Sequence, residues 1–340
     1  MDFFERLKEY CDICAPSGLE KPMRKRILED IKDCGAEITV DPNGNLIAFK
    51  KGKQRRDKKL VVAAHMDEVG FMVSYIDEDG YVRIEPIGGI DRRVVSGRRI
   101  RFCKNGLTGV VASKAIHIQT KEEYGKCEPI QEMKVDIGCY DRESAEKVVS
   151  IGDCAVFCPD YEEFGNGLIK SKAIDDRFGC AVMVDLLHEE LEYDTYFAFD
   201  TCEEIGCNGA KEVCQQIEPD IAVILESTTA GDICGTPKEK SACTVHGGAV
   251  ISHMDNSTIY DKELVKLAME TGKALSVPCQ LKNTVAGGNE ARAYQREAAG
   301  ARVLAISAPT RYIHSACCVA AKEDLSAVAA LTKAMIEKEF

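Results

Sequence analysis

Five segments of this chain end an apolar run on an imidazole or a carboxylate, and that repetition is its first chemical signal. Residues 60–64 (LVVAA) deliver His65, Asp67 and Glu68; Ala173 and Ile174 precede Asp175 and Asp176; the run TYFAFD at 195–200 leads to Glu203 and Glu204; IAVIL at 221–225 ends on Glu226; and His314 follows the last core run. Each group has an ordinary reading by itself. His-x-Asp occurs in many solvated loops, Asp175-Asp176 suits a helix N-cap, and a single His beside a core strand is commonly structural. Together they are harder to leave idle, because carboxylates crowded at the exit of buried strands repel one another unless a cation or a proton resolves the charge.

His65, Asp175, Glu204, Glu226 and His314 supply two imidazoles and three carboxylates, enough for two divalent metals. One bridging carboxylate, with one His and one further carboxylate per metal, leaves positions open for a water and a substrate. Nitrogen and oxygen donors without thiolate suit Zn²⁺, Co²⁺ or Mn²⁺. A carboxylate beside the ligand set, such as Glu203, is placed to accept a proton from an activated water.

These residues require a sheet whose strands end at one edge, where open α/β sheets hold their ligands. Residues 60–64 read as a strand buried on both faces, of the parallel kind. Before it, 2–14 has helical periodicity, Ser17 with Glu20 forms a capping-box pattern for a second helix to about Cys34, and Asp41-Pro42-Asn43-Gly44 joins strands at 37–40 and 46–49. The basic run 50–59 reads as a solvated turn. From Gly70 short strands at 71–76, 81–84, 99–102, 109–112 and 155–157 alternate with turn residues, with helix only around 144–150. That texture marks a small β-rich module inserted at 70–165. Alternation of helix and strand then resumes: helices at 176–191, 208–216, 261–271 and 325–339, strands at 196–199, 221–225 and 302–306. The expectation is an α/β fold with a mixed central sheet flanked by helices, formed by 1–69 and 166–340, carrying the β-rich insert.

The 340 residues exceed the usual limit of one hydrophobic core, so two domains are expected. A net charge of −12 with dispersed basic residues argues against nucleic acid or anionic membrane as a partner. The first ten residues do not resemble a signal peptide and no run approaches a membrane span, so the expected location is the cytoplasm. The 17 cysteines fit reduced thiols used as small hydrophobes rather than a disulfide framework, and Cys11 with Cys14 reads as one buried helix face. Absence of Trp and the metal-ligand pattern speak against sugar chemistry.

At this point the motifs become recognisable as a set. Ala15-Pro16-Ser17-Gly18, 41–45, 64–70, Gly88-Gly89-Ile90-Asp91, 172–177, 203–206, 226–232 and 311–315 run nearly end to end along the chain. In combination they resemble the cytoplasmic co-catalytic metalloaminopeptidases that form tetrahedral dodecamers, a family also carrying glutamyl aminopeptidase and endoglucanase labels. The resemblance implies a zinc-peptidase-like fold in which the insert is a dimerisation domain, and a homo-oligomer of dimers. It implies that Asp175 bridges two metals, that His65 with Glu226 holds one and His314 with Glu204 the other, and that Glu203 is the general base. Asp67 would orient His65, and the Asp175-Asp176 peptide would be cis. The implied reaction is removal of the first residue of short peptides. Alternatives on the same residues are a deacylase of small N-acyl compounds and a non-catalytic oligomeric scaffold. Two segments depart from the family's pattern, Gly287-Gly288-Asn289-Glu290-Ala291 and Cys207-Asn208, and both are expected near the substrate end of the cleft. Arg177, Arg292 and Arg311 could clamp a carboxylate, although Arg177 and Arg311 read first as partners of neighbouring acids.

Overall fold

The computed structural model describes all 340 residues. Its centre is an eleven-stranded sheet with the path Glu37–Val40, Leu46–Lys50, Thr195–Asp200, Leu60–His65, Ile221–Thr229, Arg302–Arg311, Cys318–Ala321, Leu168–Ser171 and Glu162–Phe164; Ala249–Ile251 and Cys279–Leu281 branch from Arg302–Arg311. The four strands Thr195–Asp200, Leu60–His65, Ile221–Thr229 and Arg302–Arg311 are mutually parallel and the rest of the path is antiparallel. Their composition explains their place. Leu60–His65 is buried at every position, as a strand covered on both faces must be, and Leu, Val and Ala fill it up to the terminal His65. Helices Phe3–Asp12, Ile174–Leu187, Asn208–Ile217, Lys262–Leu275 and Lys322–Ile336 supply the covering layers over a core of 64 buried residues. Because the four central strands are parallel, their carboxyl ends share an edge, and His65 lies directly beside Asp200 in register.

Between Leu60–His65 and Glu162–Phe164 the chain leaves the sheet and closes a separate six-stranded antiparallel barrel: Gly70–Ile76, Val82–Ile87, Lys134–Asp136, Thr108–Ala112, Arg99–Phe102 and Cys154–Phe157. Its 16-residue core is its own, with the rings of Phe71 and Phe157 edge to face at 5.2 Å. Closure leaves the barrel without an unpaired edge, the solution expected of short alternating strands.

Several boundaries differ from the sequence expectation. Ile221–Thr229 and Arg302–Arg311 run well past 225 and 306, because Ser227, Thr228 and Thr310 are buried and their backbone groups stay in the ladder. Helix Ile174–Leu187 ends earlier than 191, and its first turn is broken at Asp175 and Asp176, whose φ/ψ angles are non-helical. The helix near 144–150 is Arg142–Glu146. The capping box does not form: helix Lys21–Ile31 has no side-chain cap, Glu20 Oε1 instead accepts from the N–H groups of Gly18 and Cys202, and Ser17 Oγ donates elsewhere. The basic run at 50–59 is more than a solvated turn, since the Arg56 guanidinium donates to the Ile336 and Lys338 carbonyls and lies 4.6 Å from the Tyr193 ring.

Candidate active site

The parallel strands bring His65, Asp175, Glu204, Glu226 and His314 together at their shared edge. The Asp175 carboxylate stands between the two imidazoles, with Oδ1 3.6 Å from His65 Nε2 and Oδ2 3.4 Å from His314 Nε2. Glu226 Oε1 lies 3.7 Å from His65 Nε2, and Glu204 Oε2 3.1 Å from His314 Nε2. Donor atoms of His65, Asp175 and Glu204 fall within 4.8 Å of one another, as do those of His65, Asp176 and Glu226. Asp176 was not expected to approach this group; its Oδ1 also accepts the Gly179 N–H at 3.3 Å. The Asp175-Asp176 peptide is cis.

Both imidazoles are turned the same way. His65 Nδ1 is 3.1 Å from the Asp67 carbonyl oxygen and His314 Nδ1 is 2.7 Å from that of Gly89. A carbonyl oxygen can only accept, so each Nδ1 carries a hydrogen, and each Nε2 is the nitrogen turned toward the carboxylates, the one that would bind a metal. Gly89 follows the barrel strand Val82–Ile87, so the inserted module takes part in aiming His314.

Asp67 is wholly buried and ties three segments together. Its Oδ2 accepts from Ser17 Oγ at 2.6 Å and the Glu204 N–H at 3.1 Å, and its Oδ1 accepts the Glu203 N–H at 3.0 Å and lies 3.4 Å from His65 Nδ1. Glu203 itself accepts at Oε1 from the Cys207 thiol, 3.1 Å away. Behind this layer Glu68 forms a buried ion cluster with Lys172 Nζ at 2.8 Å and Arg177 Nη2 at 3.2 Å. Arg311 is held by Asp232 through Nε at 2.7 Å and Nη2 at 2.6 Å, while Arg292 makes no ion pair. Five of the nine non-glycine residues with positive φ flank the site, namely Ala173, Cys202, Cys207, Tyr312 and His314. Left-handed backbone at such residues costs energy and persists where packing over-determines it, which is how the ligand-bearing turns are shaped here.

The electrostatics state what the cluster lacks. Burial pushes Glu203 upward, Glu204 to about 7, and Glu226 well above the usual carboxylate range, with Asp175 adding repulsion at Glu226. Burial also works against charge on His314 and on Asp175, but their mutual contact, with Glu204 at His314 and His65 at Asp175, outweighs it. His314 is thereby held up at about 11 and Asp175 well below its ordinary value. Left alone, the group must retain protons to stay together. Asp175 Oδ1, 3.6 Å from His65 Nε2, and Glu226 Oε2 are buried acceptors with no hydrogen-bond partner. Unsatisfied buried carboxylate oxygens in a group that also holds two imidazoles fit divalent cations.

A cavity of about 130 Å³ opens against this edge, lined by Asp175, Glu203, Glu226 and His314 on one side and by Ser252, Asp255, Lys282 and Asn289 on the other. Lys282 Nζ donates to the Ala286 carbonyl at 2.7 Å and has no carboxylate within 4.0 Å. A far larger hollow of about 1250 Å³ lies under residues 113–129 of the barrel, remote from these groups and largely open to solvent. The two departing segments divide between cleft and interior. Gly287, Gly288 and Asn289 line the cavity, but Glu290 is fully buried away from it, within reach of Asp200 and Tyr294. Cys207 points its thiol at Glu203, and Asn208 opens a helix. Ser17, Asp176 and Lys282 were not singled out as site residues in the sequence; Cys207 was expected near the cleft, but not as a partner of Glu203.

A family described as M42 glutamyl aminopeptidase matches residues 44–331. A protein of Acetivibrio thermocellus carrying an aminopeptidase name is 41% identical over 327 residues, with 96% of each chain covered. Among solved structures, an aminopeptidase from Desulfurococcus kamchatkensis superposes with a TM-score of 0.93 at 31% identity, covering 99% of this chain and 94% of that one. The Pyrococcus horikoshii TET1 peptidase, described as able to assemble into a tetrahedron or a large octahedral shell, gives 0.85 at 30% identity over 98% and 99%.

Proposed function

The chain belongs to the M42 glutamyl aminopeptidase family and is an aminopeptidase, and from that premise we propose that it removes the amino-terminal residue of short peptides with two divalent metals and Glu203 as general base. The observation that carries the proposal is the Asp175 carboxylate, each of whose oxygens faces a different imidazole. Two ions of Zn²⁺, Co²⁺ or Mn²⁺, one on His65 and Glu226, the other on His314 and Glu204, with Asp175 shared, would polarise the scissile carbonyl and make a water acidic enough to ionise near neutrality. The chain's own residues do the rest. Glu203, which lines the cavity, takes the proton of the attacking water and returns it to the leaving amine, and the Cys207 thiol fixes its Oε1. Asp67 and the Gly89 carbonyl hold the two imidazoles in register, so their Nε2 atoms need no reorganisation. The acidic lining of the cavity attracts the free α-ammonium of a peptide.

No observation favours the deacylase or the non-catalytic scaffold: every ligand-type side chain is present and converges. Glu203→Gln tests the assignment. Metal content by mass spectrometry and assembly by light scattering should be unchanged while kcat falls about 10²- to 10⁴-fold; unchanged kcat would remove Glu203 from the mechanism.

We further infer that the unit 1–69 with 166–340 carries catalysis, that the barrel within 70–165 is the dimerisation module, and that dimers build a tetrahedral dodecamer. Supporting this, Ile116, Ile118 and Tyr124 stand on the barrel 75%, 57% and 71% exposed, apolar surface of the kind interfaces use. No helix is long and apolar enough to cross a membrane, and the 17 cysteines are all free thiols, which supports a cytoplasmic location.

A further inference from the structure

The catalytic part and the barrel touch through two thiols that peptide hydrolysis does not use. Cys14 lies just beyond helix Phe3–Asp12, in a segment pinned on both sides: the Ile13 carbonyl accepts from Lys172 Nζ at 3.0 Å and the Ala15 N–H donates to Glu68 at 3.2 Å. Cys103 follows the barrel strand Arg99–Phe102 and extends its ladder, its N–H donating to the Cys154 carbonyl at 2.8 Å. Side chains alternate along that strand, with Ile100 and Phe102 inside the barrel. Arg101 and Cys103 therefore share the outer face. Arg101 Nε sits 3.2 Å from Cys14 Sγ and its Nη2 donates to the Asp12 carbonyl, which docks that face on the Cys14 segment. Cys103 therefore lies on the barrel face that docks against the Cys14 segment, where the two thiols influence one another. Both are half-buried, and neither is in a disulfide.

We propose that Cys14 and Cys103 are a redox modification site, a thiol pair that hydrogen peroxide converts to a reversible disulfide joining the barrel to the catalytic part. Cys14 is the attacking sulfur. Arg101 Nε lies 3.2 Å from its sulfur and Lys172 Nζ is bound to the preceding Ile13 carbonyl; the contact with Cys103 and these cations lower the Cys14 thiol, while the same contact and burial push Cys103 up, as burial does Cys11 and Cys318. In the first step the Cys14 thiolate bonds to one peroxide oxygen, the O–O bond breaks, and the departing hydroxide takes a proton to become water. In the second the Cys103 sulfur attacks the Cys14 sulfenic acid, the S–O bond breaks, and the hydroxyl leaves as water with the Cys103 proton. Two thiols are oxidised and one peroxide is reduced to two waters.

The test is peroxide titration of the reduced full-length protein, followed by non-reducing peptide mapping and thermal melts. The expected product is 2 Da lighter, yields a Cys14–Cys103 cross-linked peptide, melts higher than the reduced protein and is restored by dithiothreitol. Cys14→Ser and Cys103→Ser should each abolish the cross-link and the rise in melting temperature, and in the unmodified protein iodoacetamide at pH 7 should label Cys14 faster than Cys103. First oxidation at exposed Cys234, a cross-link from Cys14 to Cys158 instead, or no cross-linked peptide at full peroxide consumption would overturn the proposal.

Discussion

At the residue scale, each ligand-type side chain is fixed by a second group that has no choice of role. Carbonyl oxygens of Asp67 and Gly89 set the imidazole tautomers, and Asp67 receives Ser17, Glu203 and Glu204 at once. His314→Ala should lower bound metal from two ions per chain to one, read by mass spectrometry on dialysed protein; retention of both would mean that His314 is not a ligand. Ser17→Ala removes a buried hydrogen bond to a carboxylate, worth about 1.5–3 kcal/mol, and should lower the unfolding free energy by that order in a denaturant titration. Lys282→Ala should reduce turnover of peptides with an acidic first residue relative to neutral ones at unchanged metal content, because its ammonium is the unpaired cation of the cavity. In the sequence, residue types and strand-end positions drew attention to His65, Asp175, Glu204, Glu226 and His314, whose side chains the fold brings to one edge, with Glu203 lining the cavity there. Ser17 was not legible as a partner of Asp67, because Ser-x-x-Glu satisfies a helix cap equally well until the chain is folded. Cys207 reaches Glu203 only because the backbone at 207 is left-handed, a turn that a cysteine does not advertise.

At the element scale, the parallel alignment of four strands turns distant segments into one edge, and the buried ion cluster behind it clamps the layers. Glu68 follows Leu60–His65, Lys172 follows Leu168–Ser171, and Arg177 lies in helix Ile174–Leu187, so the cluster binds strand, strand and helix in one contact. Removing Glu68 leaves two buried cations uncompensated. Glu68→Gln should therefore destabilise the fold by about 3–5 kcal/mol, and Lys172→Met added to it should restore part of the loss. Equal destabilisation by the double variant would show that packing, not charge, decides. The core strands were legible because apolar runs of five or six residues leave few alternatives. Their polar continuations to Thr229 and Arg311 were not, since Ser, Thr and Pro read as strand ends, and only the neighbouring strand's ladder keeps them extended.

At the scale of the whole molecule, one chain carries two independently cored bodies, and the barrel contributes to the site through Gly89 as well as offering exposed apolar surface. Ile116→Asp with Tyr124→Asp should reduce the mass measured by light scattering if that surface holds subunits together; an unchanged mass would move the interface elsewhere. The insertion was legible as a change of texture at Gly70, whereas closure into a barrel depends on pairings between strands far apart in sequence, such as Arg99–Phe102 with Cys154–Phe157. The central claim is that a two-metal centre at the strand edge hydrolyses the bond after a free amino terminus. The most direct measurement is turnover of matched aminoacyl and N-acetyl-aminoacyl p-nitroanilides by chelator-treated protein, with Zn²⁺, Co²⁺ or Mn²⁺ restored singly and metal bound per chain determined in parallel. The account predicts loss of activity on chelation and its return as two ions bind, restricted to substrates with a free α-amine; activity that survives chelation, or that returns only toward acetylated substrates, would contradict it.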